Sequence, residues 1–181
     1  MNQSIIDLLA TEAAASAAET EEARKRMLLS ARRRQECILG LHASGLSVRA
    51  IAARLGSSPS VIQAALRTAK GRHPPARREE RFPYELHVML GMRLHEEPSR
   101  LRSLARGNLE RMRRTPRAAV AERWLDQWDE LLELPDDALE KAMLANDEKG
   151  RDLRQISPFA GALSGEDRLV AMKKAQLLAK G

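Results

Sequence analysis

Apolar residues recur every three or four positions along most of this chain, and no segment alternates apolar and polar residues with a period of two. The first pattern is typical of amphipathic helices and the second of half-buried strands. Ala, Leu, Arg and Glu, which favour helix, are frequent, whereas aromatic residues make up only 3% of the 181 residues. The sequence therefore predicts an all-α protein.

Glycine and proline divide the chain into four parts. Gly45 and Gly56 end apolar-periodic segments, and the stretch over 71–83 holds three prolines and six charged residues, which predicts an extended linker. We expect an acidic, Ala-rich extension over 1–23, an N-terminal helical unit over 24–70, the basic linker over 71–83 and a C-terminal helical domain over 84–181.

Charge is distributed unevenly along the chain. Residues 24–81 hold 14 Lys or Arg and three acids, whereas residues 118–148 hold two basic residues and ten acids. A basic block of this kind favours a polyanionic partner for the first half, although a solvated surface without a partner gives the same pattern. The acidic stretch could likewise be a solvated face or a surface for a basic partner.

The run from Ser47 to Arg67 carries the most specific motif. Ser47 is a good N-cap, Ala52 is small where two helices would come closest, and Gly56 suits a turn with positive φ. Ser58 followed by Pro59 predicts the start of the next helix. These residues resemble the helix-turn-helix family of bacterial regulators and recombinase DNA-binding domains, with Ser57 standing where many members carry an apolar residue.

The resemblance implies that the second helix enters the major groove of DNA. Gln63 would then read adenine and Ala64 would touch a thymine methyl. The remaining polar and basic side chains would reach phosphates, and the arginines of the linker would either enter a minor groove or remain solvated. The candidate DNA-contacting residues are Arg32, Arg33, Arg49, Ser58, Ser60, Gln63, Ala64, Arg67, Lys70, Arg72, Arg77 and Arg78.

Other chemistry finds little support in the sequence. The pair His95-Glu96 lacks a second His four residues on, no phosphate-binding glycine loop or serine nucleophile motif is present, and four His and one Cys show no metal-ligand spacing. We therefore expect no enzyme activity, no metal and no cofactor. Cys37 is expected to pack as a small apolar residue.

The C-terminal region is expected to serve association. Trp124 and Trp128 lie on one helical face and predict its core, and Phe159 is expected to anchor an irregular loop. Residues 86–175 resemble segments of actinobacterial helix-turn-helix and antitoxin-like proteins. A homodimer would place two recognition helices about 34 Å apart on DNA, and a further protein could bind the same domain.

These observations predict a sequence-specific transcriptional regulator, most simply a repressor, which binds double-stranded DNA. The alternatives are an antitoxin that controls its own operator, a DNA-organising or partition protein, and a scaffold that binds no DNA. The single cysteine and the lack of a long apolar segment predict a cytoplasmic, nucleoid-associated protein without a membrane span.

Overall fold

The computed structural model describes residues 2–74, 78–115 and 119–179, and within these ranges it contains nine helices and no strand. The prediction of an all-α fold is confirmed. The helices are α1 (Asn2–Ala43), α2 (Val48–Arg54), α3 (Pro59–Gly71), α4 (Arg78–Leu94), α5 (Pro98–Arg113), α6 (Ala119–Leu132), α7 (Asp136–Met143), α8 (Glu148–Gln155) and α9 (Gly165–Leu178).

Helix α1 is continuous over 42 residues, so the N-terminal extension is the first half of the same helix. The helix ends at Ala43, and Gly45 follows with a φ of 98°, a backbone conformation that glycine adopts without steric cost. Residues 4–28 are exposed, whereas Ile38 and Leu39 near the other end are buried. Only the C-terminal part of α1 therefore belongs to a core.

Helices α2 and α3 pack against that C-terminal part of α1. Ser47 caps α2 by accepting a hydrogen bond from the amide of Ala50, and Gly56 makes the turn with a φ of 57°, as the sequence predicts. The shared core is made by apolar side chains from all three helices, so the orientation of α3 is fixed by burial. Its buried members are Ile38, Leu39, Ile51, Ala52, Ile62, Ala65, Leu66 and Ala69.

The prediction of an extended linker over 71–83 is wrong for its described parts. Gly71 ends α3, and α4 already begins at Arg78 and continues through Pro83. Proline removes one helical hydrogen bond, but the neighbouring side chains of Arg81, Tyr84 and Glu85 are buried against other elements, and this packing outweighs the loss. Local sequence signals do not register packing of this kind.

The C-terminal helices enclose a second core around Trp128, which is 0% exposed. The Trp128 indole donates to the carbonyl of Leu153 at 3.2 Å, and its ring meets that of Phe159 edge-on at 5.6 Å. The expectation that Phe159 anchors an irregular loop is confirmed. Ser164 caps α9 by accepting a hydrogen bond from the amide of Asp167.

Helix α9 joins the C-terminal helices to the C-terminal part of α1. It packs along both α1 and α4, and Leu177 and Leu178 lie against the core that α1, α2 and α3 form. Helix α9 therefore contacts both parts of the predicted division into residues 24–70 and 84–181, and that division stays a prediction.

Candidate nucleic-acid interface

One face of α3 is open to solvent. Ser60, Gln63, Ala64 and Arg67 are exposed and follow one another at helical spacing, while the opposite face is buried in the shared core. The buried face holds α3 in place, so the four exposed side chains project from a fixed support. The structure thus brings together four of the residues that the sequence singles out.

The N-terminus of α3 is set by Ser58 and Pro59. The Ser58 hydroxyl accepts a hydrogen bond from the amide of Val61 at 3.4 Å and lies 2.9 Å from the Ser60 hydroxyl. Pro59 occupies the first helical turn, where its missing N–H costs nothing. The Ser58 hydroxyl therefore caps α3. Because these contacts occupy it, the hydroxyl is less available to a phosphate than the sequence suggests.

The surface around α3 is basic. Arg49 and Arg54 lie on α2, Arg67 and Lys70 lie on α3, and all four are exposed. Among the described residues, none of these four side chains forms an ion pair with an acid. The sequence between Glu36 and Glu79 contains no acidic residue, so the positive charge here is not neutralised locally.

Sequence reasoning missed Arg54. It lies in the last turn of α2, immediately before the turn that leads into α3. Its place two residues before Gly56, on a helix of only seven residues, was a signal that it would flank the turn. Arg54 joins Arg49 and Lys70 as a basic side chain beside the exposed face.

Arg32, Arg33 and Arg72, which the sequence also singles out, form contacts with other parts of the chain. The Arg32 guanidinium lies 2.8 Å from a carboxylate oxygen of Glu140, and Arg33 pairs with Glu96, so both tie α1 to the C-terminal helices. Arg72 donates to Gln35 at 2.6 Å and to Glu36 at 3.2 Å on α1. Contacts within the chain therefore engage all three arginines, and their contact with DNA stays a prediction.

The basic arm predicted for the linker is not extended in its described residues. Lys70 lies within α3, and Arg78 is the first residue of α4. Arg77 lies outside the described residues. Lys70 is exposed on α3, three residues after Arg67.

A buried cluster of charged side chains lies behind the candidate interface. His73 follows α3, and its ring nitrogens lie 2.8 Å from a Glu85 oxygen and 3.1 Å from a Glu36 oxygen. The Lys174 ammonium on α9 donates to Glu36 at 2.6 Å and lies 3.3 Å from Glu85. Burial of all four groups is tolerated because positive and negative charges alternate around the cluster.

The pKa values within this cluster reflect that pairing. Burial alone would raise the pKa of Glu36, but the hydrogen bond from His73 and the charge of Lys174 lower it to about 2. Burial would likewise lower the pKa of His73, yet its hydrogen bonds to Glu36 and Glu85 raise it above the ordinary value. The cluster thus favours an imidazolium between two carboxylates.

Sequence spacing gave no signal for this cluster, because Lys174 lies 138 positions from Glu36. It fixes the C-terminal end of α3 to α1, α4 and α9. The position of the candidate interface therefore depends on a residue near the end of the chain.

The acidic stretch over 118–148 faces arginines of the same chain. Arg102, Arg106 and Arg113 on α5 each pair with acids of α6, α7 or the segment between them. Glu140 pairs with Arg32, and Asp137 with Lys25. The paired acids are Asp126, Asp129, Glu133, Asp136, Asp137 and Glu140. Most acids of this stretch therefore form ion pairs within the chain.

No protein family, no curated protein and no solved structure matches this chain. Within the described ranges, no helix has the length and apolar character needed to cross a membrane. The same part of the chain contains no group of three or more His, Cys, Asp or Glu arranged to hold a metal ion.

Proposed function

We propose that the protein is a sequence-specific DNA-binding transcriptional regulator in which α3 enters the major groove. The observation that carries the proposal is the exposed face of α3, which presents Ser60, Gln63, Ala64 and Arg67 from a helix whose opposite face is buried. An α-helix fits the major groove, where base edges present a distinct pattern for each base pair. A rigid support lets such a helix discriminate among those patterns.

Each exposed side chain has a role that its chemistry suits. The Gln63 amide can form a bidentate pair with adenine, in which its N–H donates to N7 and its carbonyl oxygen accepts from the N6 amino group. The Ala64 methyl can pack against the methyl of thymine. Ser60 and Arg67 flank them and reach toward phosphates. Residues at the N-terminal end of a recognition helix commonly make the base contacts, and Gln63 lies within the first two turns of α3.

The basic side chains around α3 supply the sequence-independent part of binding. Arg49, Arg54 and Lys70 are exposed on the same two helices as the reading face. Phosphate contacts fix register on the duplex and release counterions, which makes affinity fall with salt. A regulator of this design acts most simply as a repressor, by occupying promoter DNA.

Selection of bound fragments from a random duplex library, with full-length protein at physiological salt, tests the proposal. We expect a recovered motif that includes adenine, and a weakening of about 1–3 kcal/mol at that position in Gln63→Ala. Gln176→Ala is the matched control, since Gln176 is an exposed glutamine on α9, away from α3. Binding without a motif would favour a DNA-organising protein, and a folded protein that binds no DNA would refute the proposal.

The phosphate contacts are tested separately through salt dependence. Arg49→Ala and Arg54→Ala should weaken binding uniformly across sequences and reduce the slope of log affinity against log salt by about 1 each. Arg123→Ala serves as the control, because Arg123 is an exposed arginine on α6. An unchanged slope in both α2 variants would remove α2 from the interface.

A further inference from the structure

Over residues 4–28, the N-terminal half of α1 contributes no buried side chain to the fold. Every residue from 4 to 28 is exposed, including Ile5, Ile6, Leu8 and Leu9, whose exposed fractions run from 53% to 66%. An isolated helix in water is marginally stable, and most helices in proteins are stabilised by packing an apolar face. Residues 4–28 of α1 form the N-terminal arm, which is distinct from the basic linker over 71–83.

The arm and the segment after it carry uncharged residues in a seven-residue repeat. Positions spaced alternately by three and four hold apolar or small residues through 30, and all of them are exposed. Such spacing is the seam of a two-stranded coiled coil, and small side chains let two helices approach closely. The seam comprises Ile6, Leu9, Ala13, Ser16, Thr20, Ala23, Met27 and Ser30, and its next two positions are Arg34 and Cys37.

From Ile6 to Met27 the seam lies opposite the side of α1 that touches the rest of the molecule, and Ser30 borders a cavity that Met92 and Glu140 also line. Lys25 pairs with Asp137 at 2.6 Å, and Arg32 pairs with Glu140. Lys25 and Arg32 lie seven residues apart, at the repeat position farthest from the seam. A second helix can therefore lie along the seam without displacing the C-terminal helices.

Charge is segregated along α1 in a way that suits an antiparallel partner. All acids of the arm lie between Asp7 and Glu22, whereas Arg24 to Arg34 contains only basic residues among its charged positions. Two parallel copies would align acids with acids and bases with bases. Two antiparallel copies place the acidic segment of each beside the basic segment of the other.

The pairing is specific at the positions that flank the seam. With Thr20 of one copy level with Ala23 of the other, the antiparallel arrangement places Glu19 beside Arg26 of the second copy and Glu12 beside its Arg33. Each pair occurs twice by symmetry. Glu19, Arg26 and Glu12 are exposed, and Arg33 is half-exposed beside Glu96.

We propose that α1 forms an antiparallel two-stranded coiled coil with α1 of a second copy, in which the seam positions from Ile6 to Cys37 of each copy meet those of the other in reverse order. Association therefore takes place through the N-terminal arm rather than through the C-terminal helices that the sequence favours. Dimerisation is measured without DNA, so its failure and a failure of DNA binding are separate results.

The mass of the full-length protein in solution tests the proposal. Sedimentation equilibrium should give twice the chain mass of 20.2 kDa. Ala13→Glu places a charge in the seam and should raise the dimer dissociation constant by about 100-fold. Ala18→Glu is the matched control on the far side of the same helix and should remain dimeric. A monomeric wild type, or equal loss of dimer in both variants, overturns the proposal.

A charge exchange tests the pairing. Glu19→Arg and Arg26→Glu should each weaken the dimer, because each sets like charges side by side. The double variant should recover wild-type association, since it restores opposite charges with the order reversed. Failure of the double variant to recover association contradicts the proposed register.

Cys37, the only cysteine, tests the orientation. Cys37 is exposed, so the expectation that it packs in the core is wrong. In the antiparallel pair the two Cys37 residues lie about 46 Å apart along the helices, far beyond the reach of a disulfide. Oxidation of the wild type should yield no covalent dimer, whereas Ile6→Cys should link position 6 to Cys37 of the second copy. A Cys37–Cys37 disulfide in the wild type shows a parallel pair and overturns the proposal.

Discussion

His87 is a buried histidine on α4 whose hydrogen bonds define its protonation state. One ring nitrogen lies 2.7 Å from the carbonyl of Pro83 and must donate to it, so the other accepts from the Ser157 hydroxyl at 2.9 Å. Burial lowers the pKa of His87 to about 4 from an ordinary 6.5, and the nearby charge of Arg154 acts in the same direction. The ring is neutral at physiological pH and links α4 to the segment after α8.

This pKa predicts a loss of stability in acid. A folded-state pKa below the unfolded value means that the stabilisation is present above pH 6.5 and is lost as pH falls toward 4. The free energy of unfolding of the wild type should fall over this window by about 3 kcal/mol more than that of His87→Gln. Urea titrations at several pH values measure this difference, and parallel pH profiles for the two proteins would contradict it.

At the scale of elements, the sequence was most informative where the signal is local. Gly45 follows the end of α1, and Ser47 and Ser58 cap their helices as predicted, because these residues suit the backbone at helix ends. The exposed face of α3 was also predictable from helical spacing. The prediction failed at the linker, because Arg72 and His73 are held by Glu36 and Glu85, whose proximity no local pattern reveals.

The contact between α2 and α3 gives a test at the same scale. Ala52 is 3% exposed in the core of α1, α2 and α3, whereas the adjacent Ala53 is exposed. Ala52→Leu should lower the free energy of unfolding by about 1–3 kcal/mol, because extra methylenes in a packed core force neighbours apart. Thermal denaturation measures the effect. Ala53→Leu is the control, and equal losses in both variants would show that the loss does not arise from the contact between α2 and α3.

At the scale of the whole molecule, the cluster of Glu36, His73, Glu85 and Lys174 joins four parts of the chain. Its members come from α1, the segment after α3, α4 and α9, so the first and last helices are held together by buried charge. Ion pairs of this kind hold their geometry only while every partner is present. The orientation of α3 is thereby coupled to the docking of α9.

Removal of the lysine from this cluster should be costly. Lys174 is 0% exposed, and Lys174→Met leaves two buried carboxylates with His73 as their remaining buried cation, which predicts a loss of about 3–5 kcal/mol. Lys173→Met is the matched control, since Lys173 is adjacent and only partly buried. Chemical denaturation of both variants checks the prediction. A Lys174→Met protein as stable as the control would show that the cluster contributes little.

The length of α1 also predicts the spacing between the two DNA segments that a dimer would contact. Two such helices that overlap as proposed leave their C-terminal ends about 64 Å apart. Two turns of B-DNA span about 68–72 Å, so the two copies of α3 would reach grooves two turns apart rather than one. The helix then acts as a ruler, and a selected binding site should contain two short motifs separated by a long stretch of unread base pairs.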